Sequence, residues 1–112
     1  LWGYDSKEKL SNSDLIRERY TGIRPAPGYP ACPDHSEKAK IWKLLDIKNN
    51  SKMNLTESYA VSPASSVTGW YFSHPNSKYF AVNRISNEQL KDYANRKGFS
   101  EENLKKIFPH IL

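Results

Sequence analysis

With 112 residues, the chain has the size of one ordinary domain, and its 38% hydrophobic and 12% aromatic residues suffice for one modest core. No apolar run nears the ~20 residues needed to span a bilayer, which excludes a transmembrane helix. The net charge of +5 invites a polyanionic partner, while the single cysteine, Cys32, excludes an internal disulfide and points to a reducing, cytoplasmic compartment.

The chain starts at Leu1 with neither an initiator Met nor a signal-peptide pattern, so the expectation is a single truncated unit, 1–112, of a longer protein. The first predicted helix opens on Ser11 as N-cap, with Asp14 completing a capping box and Leu10 and Leu15 placed as a hydrophobic staple. It runs through Ile16 and Tyr20 to a stop at Gly22. Next comes Arg24-Pro25-Ala26-Pro27-Gly28-Tyr29-Pro30-Ala31-Cys32-Pro33. Its prolines remove backbone donors, fix their own φ and push the preceding residues to extended conformations. The segment predicts a stiff extended loop with carbonyls free to face a ligand. Arg, Tyr and Cys among the prolines set it apart from a plain rigid linker.

Asp34 is the expected cap of a second helix, with Glu37 in its first turn and Ile41, Leu44 and Leu45 as an apolar stripe. A loop at 49–52 follows, then the β-prone Tyr59-Ala60-Val61 and a small-residue loop through Pro63, Ser65 and Ser66. Residues 67–72 and 78–82 predict an antiparallel hairpin, closed by the turn-forming run 73–77. Gly69 in the first of these arms predicts a bulge or the close approach of another backbone or a ligand. Ser86 and Gln89 form a second capping box, stapled by Ile85 and Leu90, on a helix that ends at Gly98. Ser100 caps a last helix, with Phe99 and Leu104 as its staple and Pro109 as its stop. The predicted class is α+β: an antiparallel sheet with a β-hairpin, flanked by helices.

Catalytic constellations are missing from this pattern. His35, His74 and His110 are scattered, and Cys32 with His35 has the spacing of a metal pair without the second pair that zinc requires. There is no glycine-rich phosphate loop. The basic residues, Lys38, Lys91, Arg96 and Lys97 among them, stand beside acidic ones on predicted helices, the pattern of a solvated helix face. What remains is the Arg-Pro loop and the aromatic arms. An arginine fork holds a carboxylate by two parallel hydrogen bonds. Aromatic faces attract a cation, including a sulfonium, and stack on a purine. Together they suit a zwitterionic nucleoside. The competing reading is a non-enzymatic nucleic-acid-binding module using basic and aromatic residues, whose binding would collapse with salt.

The run from Gly22 through Lys38, GIRPAPGYPACPDHSEK, resembles the signature of the reactivation domain of cobalamin-dependent methionine synthases. So do LTES at 55–58, SVTGWYFSHP at 66–75, SKYFAV at 77–82 and DYANRKG at 92–98, in the same order and over essentially the whole chain. The resemblance implies a piece of a larger methionine synthase activation domain. The parent enzyme would move a methyl group from methyltetrahydrofolate to homocysteine through cobalamin. This domain would carry the S-adenosylmethionine that remethylates oxidised cobalamin, while a flavodoxin-like reductase supplies the electron. By the same resemblance Arg24, Ala26, Tyr79 and Phe80 contact S-adenosylmethionine, and Tyr29 faces the cobalamin held by another domain of the same chain. Zinc would belong only to a module absent from this stretch, and neither nucleic acid nor membrane is an implied partner. Two positions depart from the pattern. Lys52 stands where the family often has glycine, and Phe80 where it alternates between Tyr and Phe. The family's domain also extends upstream of Leu1 and adds an acidic ligand contact there.

Overall fold

A computed structural model describes residues 7–107 and Pro109. The first helix, α1 (Asn12–Ile16), opens as expected: the Ser11 side chain accepts from the Asp14 amide, and the Asp14 carboxylate accepts from the Ser11 amide at 3.1 Å. It stops well short of Gly22, with Glu18 already at φ 56°. No residue of α1 is buried, and Ile16 is exposed. A helix with nothing to pack against does not propagate beyond its capped turn.

The proline-rich segment is the organising element. Proline nitrogens donate nothing, so any carbonyl of this segment that leaves water must find a donor on a neighbour. Two stretches supply them. Ile23 and Phe72 exchange both backbone hydrogen bonds, at 3.1 and 2.9 Å, and the Trp70 amide donates to the Pro25 carbonyl at 3.0 Å. From the other arm, the Val82 amide donates to the Pro30 carbonyl at 2.8 Å.

This corrects the predicted hairpin. The 73–77 turn forms, with the Ser77 amide on the His74 carbonyl at 2.9 Å, but among the described residues no backbone hydrogen bond joins 67–72 to 78–82. Each arm pairs with the proline loop instead. It also corrects the expectation that the loop carbonyls are free for a ligand, since those of Pro25 and Pro30 are taken up by the arms. Gly69 behaves as its position predicts. A Cβ there would stand 2.8 Å from the Pro25 carbonyl oxygen, so the two backbones pass too closely for any side chain.

Beyond the loop, Asp34 caps a 3-10 turn (His35–Glu37) that runs into α2 (Lys38–Leu44), and the short α3 (Ile47–Asn50) follows a left-handed Asp46. The stripe expected on α2 is not buried: Leu44 is 83% exposed and Leu45 is exposed beside it, while Ile47 of α3 is buried. The two-stranded antiparallel sheet consists of β1 (Asn54–Leu55) and β2 (Val61–Ser62), in register Asn54 to Ser62 and Leu55 to Val61. Its turn uses the left-handed Tyr59, whose carbonyl accepts from the buried Lys38 ammonium at 2.9 Å. The helical tail matches expectation closely. In α4 (Asn87–Lys97) the Ser86–Gln89 capping box is complete and Gly98 ends the helix at φ 70°, and in α5 (Glu101–Ile107) the Asn103 amide donates to the Ser100 hydroxyl at 3.2 Å. Leu90, Ala94 and Leu104 are its buried core, with Ile85, Tyr93, Phe99 and Ile107 packed against it. The chain is thus α+β, with a small antiparallel sheet and helices.

Candidate functional site

The antiparallel bridge between Ile23 and Phe72 places Arg24 directly opposite Tyr71. The Arg24 guanidinium carbon lies over the Tyr71 ring, 4.5 Å from its centroid, and over the Tyr20 ring at 4.1 Å. The Arg24 amide donates to the Tyr79 hydroxyl at 2.9 Å, and the Tyr79 and Tyr20 hydroxyls share a hydrogen bond of 2.5 Å. Burial, that hydrogen bond and the neighbouring phenol push the Tyr20 hydroxyl pKa upward. Among the described residues the Arg24 guanidinium itself makes no hydrogen bond and no ion pair. It opens on a cleft of about 710 Å³, lined also by Ala26, Thr68, Gly69, Trp70 and Tyr71. That volume is within the roughly 300–1,000 Å³ of small-molecule sites.

Of the residues expected at a site, the structure gathers Arg24, Ala26 and Tyr79. Tyr79 reaches the Arg24 amide through its hydroxyl without lining the cleft, and Phe80, 61% exposed, is also outside the lining residues. Tyr29 stands exposed at the tip of the proline loop, where Gly28 and Cys32 close a tight turn through a 2.7 Å amide-to-carbonyl hydrogen bond. It is likewise not a wall of the cleft. Cys32 is a free thiol, its pKa pushed up first by burial and then by the nearby Glu37 and Asp34 carboxylates. The His35 ring packs on the Gly28 backbone, where a Cβ would come within 2.1 Å of it, and its Nδ1 lies 2.9 Å from the Lys38 ammonium. Among the described residues no group of three or more His, Cys, Asp or Glu is placed to hold a metal. His110 lies outside the described residues.

The end of the loop is fixed by a cluster that the sequence did not reveal. Asp34 is buried and accepts from the Ser36 amide at 2.8 Å, from the Tyr93 hydroxyl at 2.6 Å and from the Lys97 ammonium. Lys97 also donates to Glu37 at 2.6 Å. Its side chain is only 7% exposed, so the expectation of a solvated basic face fails here, as it does at the buried Lys38. Asp34 was legible only as a cap. Its partners Tyr93 and Lys97 lie about 60 residues away, beyond the reach of any local pattern. Tyr20 and Tyr71, whose rings lie by Arg24, were not singled out in the sequence for the same reason. Their one local signal is that Tyr20 precedes Arg24 by a single turn's length.

Comparison with known proteins bears on this arrangement. The family model described as "Vitamin B12 dependent methionine synthase, activation domain" matches residues 1–98. A solved structure described as "Crystal Structure of the MetH Reactivation Domain bound to AdoHcy" is 57% identical, with a TM-score of 0.93. That match covers 99% of this chain and 34% of the other, so the chain spans about a third of that structure's length. Among the described residues no helix is long and apolar enough to cross a membrane.

Proposed function

The chain belongs to the family of vitamin B12-dependent methionine synthase activation domains, and on that premise we propose that its Arg24 cleft binds S-adenosylmethionine for the remethylation of cobalamin. The solved relative was crystallised with AdoHcy, the demethylated form of that ligand. The observation that carries the reading is the Arg24 guanidinium, held beside two tyrosine rings at the cleft and, among the described residues, making no hydrogen bond or ion pair of its own. A ligand carboxylate satisfies that fork. Ala26 lies beside it in the cleft to meet the amino-acid portion, while Tyr79 and Phe80, outside the cleft lining, are assigned to the ligand by the family resemblance and offer ring faces for the sulfonium or the purine.

Bound S-adenosylmethionine supplies a methyl group activated by positively charged sulfur. The residues of this chain bind and orient that ligand, and Tyr29, projecting from the loop tip, is the residue placed to meet cobalamin held by another domain of the parent enzyme. The parent is a methyltransferase that passes a methyl group from methyltetrahydrofolate to homocysteine, works in the cytoplasm and takes its electron from a flavodoxin-like reductase. These roles rest on the family.

Calorimetric titration of the intact protein with S-adenosylmethionine tests the site. A charge-assisted hydrogen bond contributes about 1.5–3 kcal/mol, so Arg24→Ala weakens binding roughly ten- to a hundredfold. Arg24→Lys recovers only part of the loss, because an ammonium keeps the charge without the planar fork. Tyr79→Phe keeps the ring but leaves the Arg24 amide without its partner, and its effect is smaller than that of Arg24→Ala. Unchanged affinity in Arg24→Ala, with circular dichroism intact, removes Arg24 from the site.

A further inference from the structure

The guanidinium of Arg24 is flanked by two rings that come from opposite sides in sequence. Tyr20 precedes it on the chain, and Tyr71 is its cross-strand neighbour, delivered by the Ile23–Phe72 bridge and the Trp70-to-Pro25 hydrogen bond. Neither ring contact is accompanied by a hydrogen bond from the guanidinium, so among the described residues its donors remain available to a ligand. Tyr20 is itself tied by its hydroxyl to Tyr79, and Tyr79 to the Arg24 amide. Three tyrosines therefore restrain one arginine, two through the side chain and one through the backbone. A free arginine loses much rotamer freedom when a ligand orders it, and an arginine already held against two rings has lost part of that freedom beforehand.

We propose that Tyr20 and Tyr71 are positioning residues for Arg24, holding its in-plane donors toward the cleft so that the site selects ligands bearing an α-amino-acid carboxylate. The inference deepens the S-adenosylmethionine reading and rests on it. Selectivity arises because a pre-ordered fork returns its full value only to a planar anion, while a ligand without the carboxylate leaves the same donors unpaired on desolvation.

The test compares S-adenosylmethionine with its decarboxylated analogue, which differs only in the missing carboxylate, by calorimetry on the intact protein. Tyr71 is half exposed, so Tyr71→Ala perturbs packing little. It weakens S-adenosylmethionine binding roughly three- to tenfold and leaves the analogue unchanged. Tyr71→Phe, which keeps the ring, retains the parent's preference for S-adenosylmethionine over the analogue. In the Arg24→Ala background Tyr71→Ala costs nothing further, because the two residues act as one unit. Equal losses for both ligands overturn the proposal, since the ring would then serve the adenosyl group or the fold. Unchanged affinity of Tyr71→Ala for both ligands overturns it as well. If Arg24→Ala itself leaves S-adenosylmethionine binding untouched, the failure lies in the carboxylate reading beneath it.

Discussion

At the Asp34 carboxylate, burial alone would raise the pKa, but hydrogen bonds from Lys97, Ser36 and Tyr93 outweigh it and hold the group below its ordinary 3.8. Lys97 answers in kind. Burial would lower it, and the Asp34 and Glu37 carboxylates hold it above its ordinary 10.5 instead. Tyr93 is pushed up to about 12, first by burial and then by its hydrogen bond to Asp34. The lowered acid contributes stability that is complete above its unfolded pKa and lost as pH falls through its folded one. The raised base contributes stability that is complete below its unfolded pKa and lost as pH rises through its folded one. The cluster's contribution is therefore flat from about pH 5 to 9 and declines in acid below about pH 4. Lys97→Met leaves Asp34 buried beside Glu37 without its cation, at a cost of about 3 kcal/mol. It also moves the onset of acid unfolding to higher pH, which chemical denaturation at a series of pH values measures. An acid limb at the same pH in parent and variant would show that Lys97 is not what depresses Asp34.

Among the elements, the pairing of the proline loop with the 70–72 arm depends on Gly22. That residue sits at φ 84°, and a Cβ on it would lie 1.8 Å from the Phe72 carbonyl oxygen. Gly22→Ala must move that carbonyl, which receives the Ile23 amide, and must also bear the cost of a left-handed alanine of about 1–2 kcal/mol. The expected result is a loss of at least about 2 kcal/mol together with weakened ligand binding, since Tyr71 is carried by the displaced arm. Denaturant melts and the S-adenosylmethionine titration read the two effects separately. Gly98→Ala is the comparison, because a Cβ there meets nothing within 4 Å and only the backbone cost remains. What could be read in advance divides along the same line. The Ser11, Ser86 and Ser100 caps and the Gly98 stop are encoded within four residues, and each was found. The close backbone approach at Gly69 was legible because a glycine inside a β-prone run has few other reasons to be there. The partner of each arm was not legible. The 67–72 run has the alternation of a hairpin strand, but the acceptors of the proline loop, some 45 residues earlier, outcompete the nearer arm for its amides. Likewise Arg24 was singled out by residue type and context, whereas the ring of Tyr71 beside it depends on that same distant pairing.

As a whole, the molecule exposes more surface than its mass accounts for. Its accessible area is 8687 Å² and its radius of gyration 16.1 Å, against roughly 6,300 Å² and 13 Å for a self-contained domain of this size. Leu44, Leu45, Ile16 and Val67 contribute to the excess. Taken alone, this stretch is expected to bind a hydrophobic dye such as ANS and to melt over a broad range without a sharp calorimetric peak. A cooperative melt with no dye signal would mean that the exposed apolar residues are tolerated in water. The same architecture sets an order of assembly. The hydrogen bonds that hold the proline loop and its end close long stretches of chain: 55 residues between Arg24 and Tyr79, 59 between Asp34 and Tyr93, 60 between Glu37 and Lys97. The α4–α5 pair, by contrast, is built from near neighbours. Closing long loops is slow, and a chain made from its N-terminus folds as it emerges. The proline loop is thus synthesised long before anything that can hold it. Its own rigidity keeps it in shape through that interval, so the element proposed to meet the ligand waits, already extended, for the residues that will fix it in place.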